Sequence, residues 1–187
     1  MSNQIILPRI LQVGAGASQQ VGSILKTLGC RRPLIVTDKM MVQLGYIDAI
    51  QASLSEQAIS SDVFHETVPE PTVSSIQAGV DKVREGNYDC IIAIGGGSPI
   101  DTAKAVAALG IERRPVSSLK VPVITDSPGL PVIAIPTTAG TGSEATRVTI
   151  ITDEESSEKM LCMGLAFLPT IAIVDFELTL TKPRRLT

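Results

Sequence analysis

An α/β fold built on a mainly parallel sheet follows from three features of this 187-residue chain. Short apolar runs recur at 33–37 (PLIVT), 90–94 (CIIAI), 131–136 (PVIAIP) and 171–174 (IAIV). They lack the apolar–polar alternation of a half-wet strand and read as strands covered on both faces. The segments between several of them carry apolar residues at helical spacing. Finally, the run at 90–94 passes through Gly95, Gly96 and Gly97 into an alanine-rich helix.

Residues 5–13 (IILPRILQV) read as a strand whose first half is demoted by Pro8 to an edge or entry segment. Gly14-Ala15-Gly16 imitates the start of a GxGxxG fingerprint, but Gln19 stands where the third glycine belongs, so a simple turn is expected. Ser18 is placed to cap a helix whose Val21, Ile24, Leu25 and Leu28 share one face, and Gly29 to end it.

The strand at 33–37 delivers Asp38 to the carboxyl edge of the sheet, where ligands of open parallel sheets bind. A carboxylate there accepts hydrogen bonds from an adenosine ribose and repels a 2′-phosphate; alternatively it caps the following helix, and the two roles can coexist. Helical segments cover 39–57 with a break at Gly45. A short strand at 61–65 precedes the turn 68–72, and Thr72 opens a helix presenting Val73, Ile76, Val80 and Val83, terminated at Gly86. His65, the only histidine in the chain, reads as a strand-end residue rather than a ligand or base.

After the strand at 90–94, Ser98 is the expected N-cap, Pro99 the first helical residue and Asp101 the third, with the helix reaching Leu109. A glycine loop feeding a helix start lets backbone N–H groups approach a phosphate; a tight strand–helix connection that binds nothing is the plainer alternative. Residues 110–130, broken by prolines, read as a surface excursion with a short strand near 121–124. The strand at 131–136 leads into a second loop of small and hydroxyl residues, 137–144 (TTAGTGSE), either a nucleotide contact or a helix-capping turn. Residues 146–152 and 159–163 read as an antiparallel hairpin inserted in the parallel sheet, on which Lys159 is a solvated edge charge or a phosphate or ribose contact. The run at 171–174 ends at Asp175.

Composition narrows the function classes. A formal charge of −3 and a pI near 5.2 argue against nucleic acid or an anionic membrane as partner, and 3% aromatics without Trp leave few stacking platforms. No stretch has the length of a membrane span. Cys30, Cys90 and Cys162 offer neither a disulfide framework nor a CxxC metal site, and Cys90 reads as a core filler in a chain of the reducing cytoplasm.

GGGSPIDTAKA at 95–105, IPTTAGTGSEAT at 135–146, ITDEESSEKM at 151–160 and TDK at 37–39 together resemble the iron-containing (group III) alcohol dehydrogenase family. The likeness spans essentially the whole chain. It implies a Rossmann-like dinucleotide-binding domain over 1–187, binding NAD. Gly96, Gly97 and Ser98 would hold the pyrophosphate and Asp38 the adenosine ribose, with Asp101 supporting the loop. Thr137, Thr138 and Thr141 would line the adenine and phosphate side; Val148, Lys159 and Leu178 would reach the ribose and nicotinamide end. The family's Fe(II) or Zn(II), held by one Asp and three His in an all-helical domain, is expected beyond Thr187. The tail Lys182-Pro183-Arg184 departs from the family's pattern.

The resemblance thus implies a cytoplasmic, homo-oligomeric enzyme interconverting an alcohol and an aldehyde or ketone by hydride transfer, with these 187 residues inert alone. The alternatives are a stand-alone nucleotide-binding module or a relative such as maleylacetate reductase or glycerol dehydrogenase.

Overall fold

A computed structural model describes residues 5–181. The tail Lys182-Pro183-Arg184 lies outside the described residues. A six-stranded parallel sheet is built from β1 (Ile10–Val13), β2 (Pro33–Val36), β3 (Asp62–Phe64), β4 (Cys90–Gly95), β5 (Val132–Pro136) and β8 (Ile171–Val174), in the order β1-β8-β5-β4-β2-β3. The hairpin of β6 (Val148–Asp153) and β7 (Glu158–Met163) is inserted in the chain between β5 and β8 but, contrary to the sequence expectation, not in the parallel sheet: its strands pair with each other and form a separate two-stranded sheet. The α/β, Rossmann-like expectation is met.

Right-handed crossovers dictate the layers. The chain moves one way across the sheet from β1 to β2 to β3, and the connecting helices α1 (Val21–Leu28), α2 (Lys39–Gln43) and α3 (Tyr46–Ser55) share one face. It then reverses from β3 to β4 to β5, so α4 (Val73–Gly86) and α5 (Gly97–Ile111) lie on the other. Alternate residues of β4 serve the two cores: Ile91 and Ala93 pack under α4 and α5, Ile92 and Ile94 under α1 and α3. The hairpin covers the α4–α5 side through Ile151, Met160 and Cys162. The loops after β2 and β4, neighbours in the sheet, therefore leave toward opposite faces and open a crevice between them.

Several local expectations are corrected. Gly96, not Ser98, is the N-cap of α5, so Pro99 is its third residue and Asp101 its fifth, beyond the first turn. Pro99 still fits, because first-turn N–H groups have no intrahelical partner. Ser18 does not cap α1; its hydroxyl donates to Asp175 Oδ2 at 2.6 Å. The helix at 73–86 does end at Gly86 as expected, with Asn87 (φ 53°) as its left-handed C-cap. Gly29 (φ 78°) ends α1 as expected. Residues 110–130 are not simply surface: Val116, Leu119 and Thr125 are buried, and in place of a strand at 121–124 only Lys120 and Ile124 make isolated bridges to β7. Thr146 and Arg147 precede β6.

The GxG-like turn owes its shape to an internal anion. Asp175, 2% exposed, accepts hydrogen bonds from the N–H groups of Gly16 and Ser18, each at 3.1 Å, as well as from the Ser18 hydroxyl. The turn does cradle a negative charge, but one the chain itself provides.

Candidate functional site

The crevice at the carboxyl ends of β2 and β4 opens into a groove of about 540 Å³, and Asp38, Gly96, Gly97 and Ser98 all line it. Its far wall is the segment 66–69 after β3, which the sequence does not flag. The strand ends are pinned by threonines. Thr37 Oγ1 donates to the Ile94 carbonyl at 2.8 Å, Thr37 N–H to the Phe64 carbonyl at 2.9 Å, and Thr67 Oγ1 to the Thr37 carbonyl at 2.7 Å. These bonds tie β2, β3 and β4 together beneath the groove.

Asp38 occupies both positions weighed from sequence. It is the N-cap of α2, where Oδ1 accepts from the Met41 N–H at 3.0 Å, and it lines the groove. Its Oδ2 lies 3.6 Å from where a Cβ at Gly95 would stand, so the carboxylate faces the glycine loop.

Gly95 has φ +145°, and a Cβ there would meet Pro99 Cγ at 2.7 Å; this glycine is required by the backbone. Gly96 and Gly97 are required differently. A Cβ on Gly96 would lie 3.3 Å from Thr138 Oγ1, and one on Gly97 3.3 Å from Ser143 Oγ and 3.6 Å from Thr141 Cβ. The second loop thus folds over the first, bringing Thr138 and Thr141 to the glycines. The N–H groups of Gly97 and Ser98 open α5, and a helix start of this kind presents donors and a positive dipole end to an anion.

The remaining expected residues are distributed around this centre. Thr137 is fully buried, its N–H bonded to the Gly95 carbonyl at 2.8 Å and its hydroxyl turned to Met41 Sδ. Lys159 stands on the hairpin and pairs with Glu70 at 2.9 Å, while Glu70 N–H donates to Ser98 Oγ at 3.4 Å. Lys159 therefore reaches the glycine loop through Glu70. Val148 lines a separate cavity with Thr146 and Leu168. Leu178 packs on the α1–α3 side against Tyr46, Ile50 and Ile94, away from the groove lining.

Asp101 points beneath the second loop, not into the groove. Its Oδ1 lies 3.5 Å from Lys104 Nζ without hydrogen-bond geometry, and Lys104 is fully buried, donating to the Val148 carbonyl at 3.0 Å and Thr146 Oγ1 at 3.3 Å. Burial pushes the Asp101 carboxyl up, against the opposing pull of the Lys104 ammonium. Burial likewise pushes the Lys104 ammonium down, opposed by Asp101 and Glu144. Such a pair contributes little net stability but fixes geometry, here joining α5 to the loop and hairpin. Lys104 was missed from sequence; its signal was a single cation three residues from Asp101 in an otherwise apolar helix.

His65 is exposed just past β3 and has no Cys or His partner in any candidate metal cluster among the described residues. The chain's own residues accordingly do not furnish a set of one Asp and three His. No helix among the described residues is long and apolar enough to cross a membrane.

A family model described as iron-containing alcohol dehydrogenase matches residues 8–176. The chain is 36% identical over 187 residues to the NAD-dependent methanol dehydrogenase of Bacillus methanolicus, covering 100% of this chain and 49% of that protein. It is 35% identical over 180 residues to the lactaldehyde reductase of Escherichia coli K12, covering 95% and 47%. Its structure superposes with a TM-score of 0.92, at 30% identity, on sulfoacetaldehyde reductase from Bifidobacterium kashiwanohense in complex with NAD+, covering 100% of this chain and 49% of that one. The chain spans about half the length of the curated relatives it matches.

Proposed function

The chain belongs to the iron-containing alcohol dehydrogenase family, and we propose that residues 1–187 act as the dinucleotide-binding domain of an NAD-dependent enzyme that interconverts an alcohol and an aldehyde or ketone. One observation carries this reading: the groove between the ends of β2 and β4 sets the glycine-lined start of α5 opposite the Asp38 carboxylate. The residues fit the cofactor. Gly96 and Gly97 leave open the space that a Cβ would fill, and Asp38 keeps Oδ2 apart from its capping bond.

In this reading the Gly97 and Ser98 N–H groups hold the pyrophosphate at the positive end of α5. Asp38 accepts hydrogen bonds from the adenosine ribose, and its charge disfavours a 2′-phosphate. Thr138 and Thr141 close over the phosphates, with Thr137 fixing the base of their loop, and Asp101 with Lys104 holds that loop and the hairpin in place. Lys159 and Val148 face the far end of the cofactor. The bound nicotinamide would supply the hydride acceptor. The 187-residue chain, whose single histidine is exposed, is expected to bind cofactor without oxidising alcohols.

The test is calorimetric titration of the chain with NAD+ and NADP+. NAD+ should bind tighter, and Asp38→Gly should narrow or reverse the gap. The fold should survive, because glycine at an N-cap costs only about a few tenths of a kcal/mol relative to Asp. Equal affinities for the two cofactors in the unmodified chain would remove Asp38 from the reading.

A further inference from the structure

At the opposite end of β4 from the groove, about 16 Å away along the strand, the chain gathers three metal-binding side chains. One ligand atom each from Cys30, Asp89 and Cys90 lies within 4.8 Å of the other two. Cys30 and Cys90, sixty positions apart in sequence, are brought together because β2 pairs with β4 in a register that sets Pro33 beside Cys90. We propose that Cys30, Cys90 and Asp89 form a binding site for one thiophilic divalent cation of the Zn(II) or Cd(II) class, independent of the cofactor groove.

Size and ligand type both favour this assignment. Two sulfurs on one tetrahedral zinc stand about 3.8 Å apart, and a sulfur and a carboxylate oxygen about 3.5 Å, from Zn–S near 2.3 Å and Zn–O near 2.0 Å. The observed 4.8 Å bound exceeds these by roughly the reach of a small side-chain rotation. Two thiolates select a soft or borderline cation over Mg(II) or Ca(II).

The donors are also preorganised by backbone. Asp89 Oδ2 accepts from the Arg31 N–H at 2.6 Å and Oδ1 from the Arg32 N–H at 3.0 Å, while Asp89 N–H donates to the Arg32 carbonyl at 3.1 Å. Cys30 N–H is held by the Leu25 carbonyl at 3.0 Å. Cys90 is fully buried, whereas Cys30 is 7% exposed and Asp89 half-buried, which leaves an approach from the surface. Binding forms two metal–sulfur bonds, both thiol protons passing to solvent, and needs no oxidant. Two thiolates and a carboxylate leave a net charge of −1 around a divalent ion.

Titration of the thiol-reduced chain with Co(II) should give a thiolate-to-cobalt charge-transfer band saturating at one equivalent, which Zn(II) then displaces. Cys30→Ser and Cys90→Ala should each abolish the band, Asp89→Asn should weaken binding by about tenfold or more, and Cys162→Ala should leave it intact. Because Cys90→Ala alters the core, the unsubstituted chain is also alkylated with and without Zn(II) and read by mass spectrometry. Zn(II) should protect Cys30 and not Cys162. Absence of the band in the folded, reduced chain, its survival in Cys30→Ser, or alkylation of Cys30 at an unchanged rate with Zn(II) would each overturn the site.

Discussion

Replacing Gly97 by alanine separates the two uses of the glycine loop. Gly97 has no left-handed backbone requirement, and the atoms nearest its added Cβ would be the Ser143 hydroxyl at 3.3 Å and Thr141 carbons at 3.6 and 3.7 Å. A rotatable hydroxyl gives way by a few tenths of an ångström. That cost is set against the helical gain of alanine over glycine, up to about 1 kcal/mol. Stability should therefore change by less than about 1 kcal/mol. Cofactor binding should not be spared, because the methyl enters the gap between the two loops and holds a phosphate off the Gly97 and Ser98 N–H groups. Each charge-assisted hydrogen bond contributes about 1.5–3 kcal/mol, so losing one or two weakens binding by about 2–5 kcal/mol. That corresponds to roughly 30- to 4,000-fold in Kd. The assay is calorimetric titration with NAD+ beside a thermal melt. Gly95→Ala serves as the contrast, and its Tm should fall because φ +145° and a 2.7 Å approach to Pro99 Cγ exclude a side chain. If Gly97→Ala keeps its Tm and binds NAD+ within about threefold of the parent, phosphate does not sit at the start of α5, and the reasoning from helix N–H groups fails.

Other perturbations probe the scaffold. Asp175→Ala strands the Gly16 and Ser18 N–H groups and should cost about 3 kcal/mol, or roughly 6–12 °C in Tm; a loss under about 1 kcal/mol would mean that the turn holds itself. Tyr88, buried and donating to Asp62 Oδ2 at 2.7 Å, is pushed up to about 12 by burial and by that bond, from an ordinary value of 10.0. The unfolded chain thus loses this proton first as pH rises. Tyr88's contribution, at most ~2 kcal/mol, is whole below pH 10 and lost on approaching pH 12. Urea unfolding of Tyr88→Phe across that range should lack this part of the slope, and identical slopes would refute it. Lys104→Ala should leave Asp101 buried without its cation and cost about 3–5 kcal/mol, and Lys104→Met, which keeps the apolar stem but not the ammonium, should recover only the smaller packing part of that loss. Full recovery of the melting temperature by Lys104→Met would show that the ion pair sets nothing.

Local chemistry was enough to place the strands at 33–36, 90–95, 132–136 and 171–174, the glycine loop, and Asp38 at a strand end, because apolar runs, glycine clusters and caps act within a few residues. Helix boundaries were less secure. Ser98 looked like the cap of α5, but Gly96 begins that helix, and the shift carried Asp101 from the first turn to a buried pairing with Lys104. Ser18 likewise looked like a cap and instead serves Asp175, 157 residues away. No sequence window contains both partners of such a contact. The same limit hid the Cys30–Cys90 approach, which depends on β2 lying beside β4, and the Lys159–Glu70 pair, which bridges 89 positions. The sequence by itself determined which segments become strands and that one glycine loop opens a helix. Only the tertiary structure decided that β4 returns beside β2 after β3, since strand order is a property of crossovers rather than of any residue. That reversal sends the loops after β2 and β4 to opposite faces, and the groove exists because they part.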